Sequence, residues 1–159
     1  MTDQIHKSVP ALWFSFVADN IEHCHTSMPE SFCLGIDKEH ADNCAMLITA
    51  NLKTASSGAL TSYLNYQVGI PVAEDLAIIT NWAGEAQCII RTTEVDIIPF
   101  DEISEDHALK EGEGDQSLSE WKKTHWEFFS NDLANFGELP EEDMMVVCED
   151  FEIIYQLPK

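Results

Sequence analysis

The chain has 159 residues, of which 45% are apolar, with four tryptophans and eight phenylalanines; that suits one domain with a real core and argues against disorder. Its formal charge of −21 is uneven, since 19 of the 29 acidic side chains fall in residues 94–159. With one arginine, Arg91, and so negative a field, the chain repels polyanions, which argues against binding extended duplex nucleic acid but leaves a small ligand or a short single strand held by its bases.

No apolar run approaches the roughly 18 residues of a membrane helix, so no membrane partner is expected. The N-terminus lacks the basic start, long apolar core and small-residue cleavage site of a signal peptide. Five irregularly spaced cysteines suit a reduced, cytoplasmic chain.

In chain order, residues 10–27 open with Pro10 near a first helical turn, and Leu12, Phe16 and Val17 form a partial apolar stripe. Glu22-His23-Cys24-His25 lacks a second ligand group at a recognised spacing, so no metal site is assigned there, and no cofactor is expected elsewhere. After a turn-rich segment containing Pro29 and Gly35, Asp37 is placed to cap a helix through about Asn51, with Ala41, Cys44, Ala45 and Ile48 on one face. Lys53-Thr54-Ala55-Ser56-Ser57-Gly58 carries one cation among small residues and leads into a short helix over 59–67.

Leu76–Asn81 has the composition of a buried strand, Trp82–Glu85 supplies a turn, and residues 86–98 alternate as its partner strand until Pro99. Ser104 is placed to cap a short helix over 105–110, and Ser117 with Glu120 forms a capping box for a longer one. On that helix Leu118, Trp121, His125, Phe128 or Phe129, and Phe136 have the spacing of a core face. Between the two helices, Glu111-Gly112-Glu113-Gly114-Asp115 is either a solvated acidic linker or a loop that positions a carboxylate. Met144–Cys148 and Phe151–Leu157 give one long or two short closing strands.

Taken in order, Lys53-Thr54-Ala55-Ser56, Pro99-Phe100-Asp101-Glu102, His107 through Asp115, and Trp121, His125, Trp126, Phe128 and Phe129 resemble the ASCH (activating signal cointegrator homology) domain family over about residues 38–155. The likeness is to its stand-alone bacterial members. It implies an α+β fold, a PUA-like small β-barrel flanked by helices, with residues 1–159 as one domain and 1–35 as a helical N-terminal extension. It also implies binding of a nucleoside or an RNA base.

In a family member that hydrolyses N4-acetylcytidine, a K-T-x-T segment supplies a lysine and a nucleophile and a downstream H-A-x-x-E supplies a glutamate. Those roles fall on Lys53, Ser56 and Glu111. Serine here keeps the hydroxyl of the expected threonine, while Asn51 and Gly58 replace a glycine and an arginine of the pattern. Thr54, Ser57, Tyr63, Trp82 and Arg91 complete the candidate substrate-binding set, with Trp82 or Tyr63 available to stack on a base. Lys53 and Ser56, three apart, face opposite sides of an extended strand, so their meeting requires a turn, which Ser57-Gly58 is expected to supply. Glu111 is expected to face inward, and Glu113 and Asp115 water. The resemblance thus implies an amidohydrolase acting on acetylated cytidine, or alternatively a single-strand ribonuclease or a non-catalytic RNA-binding module.

Overall fold

The structure, a computed structural model, describes residues 4–158. Its elements are α1 (Ser8–Asp19), β1 (Ser31–Phe32), α2 (Lys38–Thr49), β2 (Ala55–Ala59), α3 (Leu60–Asn65), β3 (Leu76–Thr80), β4 (Ala86–Pro99), α4 (Glu105–Glu111), α5 (Leu118–Ala134) and β5 (Met145–Tyr155). The fold is therefore mixed α+β. The strands hydrogen-bond in the order β1-β3-β4-β5-β2. Among the described residues no ladder joins β1 to β2, so the expected small barrel is not closed by hydrogen bonds. None of the described helices is long and apolar enough to cross a membrane.

Two compact units share the chain. The first runs to Asn51 and adds Glu74–Arg91 and the residues from Glu152. Its core joins Val9, Leu12, Trp13 and Phe16 of α1 to Ile78 of β3 and Ile89 of β4. The apolar stripe of the first helix is therefore core rather than an appended surface. The helix stops at Asp19, earlier than the sequence suggests, where the Asn20 side chain donates to the Phe16 carbonyl, 2.9 Å away. Asp37 caps α2 as expected, its carboxylate accepting from the His40 backbone N–H at 2.8 Å, and Ala41, Cys44, Ala45 and Ile48 are buried. β3 and β4 pair antiparallel from Leu76↔Arg91, with an irregularity at Ile79/Thr80, and β1 runs parallel to β3.

The second unit comprises Leu52–Ala73 and Thr92–Phe151. β2 pairs antiparallel with β5, Ala55 opposite Asp150 and Ala59 opposite Val146. Its core gathers Ala59, Phe100, Ile103, Ala108, Trp121, Phe129, Val146 and Cys148. Phe129 of α5 is fully buried, a placement that stabilises by about 1.5–3 kcal/mol relative to exposure. The predicted face of α5 holds for Trp121 and Phe129, while Phe136 lies beyond the helix end and is exposed.

Ser57 and Gly58 do not turn the chain. Both lie in β2. A β-carbon on Gly58 would sit 2.7 Å from the Tyr63 ring, so the glycine makes room for an aromatic side chain.

Candidate active site

Backbone contacts build the site first. The Thr54 N–H donates to the Lys110 carbonyl at 2.7 Å, and the Thr54 carbonyl accepts from the Phe151 N–H at 3.0 Å. α4 ends at Gly112, whose φ of +68° is the left-handed conformation that closes a helix. A β-carbon there would lie 2.1 Å from the Leu52 carbonyl oxygen, so only glycine admits so close a backbone approach. Two segments nearly sixty positions apart are thereby held side by side, and Lys53 meets Glu111.

Both residues are 2% exposed. Lys53 Nζ donates to Glu111 Oε1 at 3.1 Å and to Glu113 Oε2 at 2.9 Å, with the Glu111 carbonyl 3.4 Å away. A buried charge has to be paired, and this ammonium has two carboxylates. Glu113, expected to face water, instead turns in to Lys53. Asp115 remains exposed and accepts from the Ser117 backbone at 2.8 Å.

The second carboxylate oxygen of Glu111 gathers the rest of the cluster. It accepts from the Ser57 hydroxyl at 2.8 Å and from the Trp121 indole N–H, and His125 Nε2 lies 3.1 Å away. His107 Nε2 is 3.5 Å from that oxygen and 2.6 Å from Ser57 Oγ. Local sequence explains these positions. Ser104 caps α4 by accepting from the His107 N–H at 3.1 Å, and His107 and Glu111, four apart, share a helix face. Trp121 and His125 are likewise four apart on α5, where their rings stack at 4.1 Å, and His125 Nδ1 reaches the Trp121 carbonyl at 2.9 Å. Burial pushes the Glu111 carboxyl upward, but the Lys53 charge and the hydrogen bonds of His107 and His125 outweigh it, holding the group well below the usual carboxylate range.

The cluster brings together two of the three expected catalytic residues, Lys53 and Glu111. Ser56 is not in it. Successive side chains on a strand point to opposite faces, and it is Ser57 that shares the Glu111 side with Lys53. Thr54 contributes backbone hydrogen bonds. Tyr63 packs against Gly58, its hydroxyl pushed up to about 12 by burial and by the nearby Glu149. Trp82 and Arg91 belong to the first unit. There Trp82 is 49% exposed with its backbone N–H donating to the Asp42 carboxylate, and Arg91 pairs with Glu152 and, at 3.9 Å, Glu74.

His107, Trp121, His125 and Glu113 were not singled out from the sequence as site residues. Spacing of four on one helix was the available signal for His107 with Glu111, and for Trp121 with His125. His and carboxylate ligand types for a metal are present, but Lys53 Nζ fills the space between the carboxylates of Glu111 and Glu113.

The mixed α+β fold is that of the ASCH domains, a PUA-like fold family associated with RNA binding. Residues 30–155 match the ASCH domain, and the chain belongs to that family. Its fold is similar to that of the ASCH domain from Lactobacillus crispatus JV V101, with a TM-score of 0.89 and 29% identity over 98% of this chain and 99% of that one. It is also similar to a protein from Enterococcus faecalis V583, with a TM-score of 0.84 and 30% identity over 93% of this chain and 88% of that one. Among curated proteins no relative matches.

Proposed function

We propose that the protein is an ASCH domain that binds a nucleoside or a short single-stranded RNA by its base and removes an acyl group from an exocyclic amine, with N4-acetylcytidine as the lead substrate. The observation that carries this reading is Ser57 Oγ, 2.6 Å from His107 Nε2 and 2.8 Å from Glu111 Oε2. A serine hydroxyl becomes a nucleophile when a base lies within hydrogen-bond reach. Ser57 thus takes the role that the family pattern assigns to Ser56, and His107 is the base.

In the proposed reaction His107 carries its proton on Nδ1, the Ser57 hydroxyl turns from Glu111 Oε2 to the bare Nε2, and Nε2 takes its proton as Oγ attacks the acetyl carbonyl. The C–N bond breaks, and the same proton passes to the departing amine. His107 Nε2 then takes a proton from a water whose oxygen attacks the acyl carbon; the C–Oγ bond breaks, the proton passes to Ser57 Oγ, and acetate leaves. Glu111 orients the hydroxyl, and Lys53 supplies the positive charge beside it.

Purified protein incubated with N4-acetylcytidine is expected to release cytidine, followed by chromatography. Ser57→Ala and His107→Gln should each lower turnover by about 10²–10⁴-fold, and Ser56→Ala should leave it within about twofold. No turnover above a Lys53→Ala control rejects the enzymatic reading. Labelled single-stranded RNA cut by the wild type and spared by Lys53→Ala would assign ribonuclease activity instead.

A second reading, a non-catalytic RNA-binding module, is favoured by one observation. Among the described residues every buried side-chain nitrogen and oxygen already has a partner, so the cluster is satisfied without a substrate. Thermal shifts with nucleosides in the absence of turnover are its signature.

A further inference from the structure

A second feature of the unit from Leu52 lies outside the Glu111 cluster. A groove of about 530 Å³ is lined by Leu60 and Leu64 of α3, Leu133 of α5, and Leu139, Met144 and Met145 leading into β5. Leu64 is 67% exposed and Leu139 84%. Two exposed leucines beside the exposed Met145 on one concave face form an apolar patch of the kind that marks an interaction site. The space beside Gly137 is open, since a β-carbon there would meet nothing within 4 Å. The rim is acidic. Glu138 and Glu141 line the groove, and Glu141, Glu142 and Asp143 are exposed, with no basic residue from 135 to 145.

Charge decides what such a face accepts. Another copy of the chain carries the same acids and a net charge of −21, so self-association would bring like charges together. RNA and anionic lipid surfaces are repelled for the same reason. An amphipathic segment with cationic side chains meets both halves of the surface, placing leucine-type side chains in the groove and ammonium or guanidinium groups on the rim. We propose that this groove docks an amphipathic, lysine- or arginine-rich helical segment of a partner protein. The proposal does not depend on hydrolysis at Ser57.

The probe is a fluorescein-labelled synthetic helix with leucine at positions i, i+3, i+4 and i+7 and lysine elsewhere. Two twins accompany it, one with serine for leucine and one with glutamate for lysine. Fluorescence anisotropy is expected to show saturable binding of the first peptide and at least about tenfold weaker binding of each twin. The L64S/L139S variant should weaken the leucine–lysine peptide at least about tenfold. The E141Q/E142Q/D143N variant should weaken it and flatten its salt dependence. Circular dichroism melts establish that both variants are folded, and Leu139→Ser alone serves if the double variant is not.

Equal binding of the serine twin, or indifference to the leucine substitutions, would reduce the effect to attraction by a −21 chain and overturn the proposal. So would an absence of binding. Sedimentation of the wild type as a dimer that Leu139→Ser dissolves would assign the groove to a second copy and overturn it as well.

Discussion

Glu111 concentrates most of the site chemistry in one side chain, and its charge state is coupled to folding. Lys53 and the hydrogen-bonding histidines hold its folded carboxyl well below the ordinary value of 4.5. A carboxyl depressed in the folded state stabilises the fold fully above its unfolded value and loses that contribution as pH falls through the folded one. Glu111→Gln should therefore cost about 3–5 kcal/mol near neutral pH, because it leaves a buried lysine short of one counter-charge. The deficit should shrink as the medium is taken below 4.5. Urea unfolding of wild type and variant at several pH values checks this, and a deficit that is constant or widens in acid contradicts it. Ser57 and Ser56 form the companion pair at this scale: adjacent and chemically identical, with only one facing Glu111.

At the level of elements, α4 is shaped so that its end can touch the segment before β2. Ser104 starts it, Gly112 ends it, and His107 and Glu111 lie between on one face. Gly112→Ala meets two obstacles, a φ of +68° and a β-carbon 2.1 Å from a backbone oxygen. The expected loss is more than about 2 kcal/mol, seen as a melting temperature lower by about 5 °C or more. Gly112→Asn separates the causes. Asparagine tolerates the left-handed conformation but keeps the β-carbon, so it should fail nearly as badly; a full rescue would show that the close approach to Leu52 is unimportant. The caps at Asp37, Ser104 and Ser117 were all legible in the sequence, because a cap is a contact across three residues. The role of Ser57-Gly58 was not, because small residues suit a turn and a strand packed against an aromatic ring equally well. Tyr63 decided it.

Across the whole molecule the dominant quantity is charge. Nineteen of the acids crowd into residues 94–159, and compacting them costs self-repulsion. Salt shortens the reach of that repulsion from roughly 30 Å at 0.01 M to roughly 10 Å at 0.1 M. The melting temperature should therefore rise by several degrees between these ionic strengths, as followed by differential scanning calorimetry. A fall would mean that exposed attractive pairs such as Lys38 with Asp42 outweigh the diffuse field. The same field means that any RNA bound at the Glu111 cluster is held by few phosphate contacts, so its affinity should depend only weakly on salt.

Chain-local chemistry was enough for most elements: the core face of α2, the β3–β4 pairing around a tight turn, the capped starts of α4 and α5, and the apolar face through Trp121 and Phe129. Each depends on residues a few positions apart. Motif order was enough to foresee Lys53 beside Glu111. Which serine joins them, the inward turn of Glu113, and the roles of His107 and His125 depended on contacts between distant segments. The EGEGD loop shows why. Its glycines promise a turn in any context, but Gly112 matters because the Leu52 carbonyl occupies the space a side chain would need, and no spacing within the loop contains that fact.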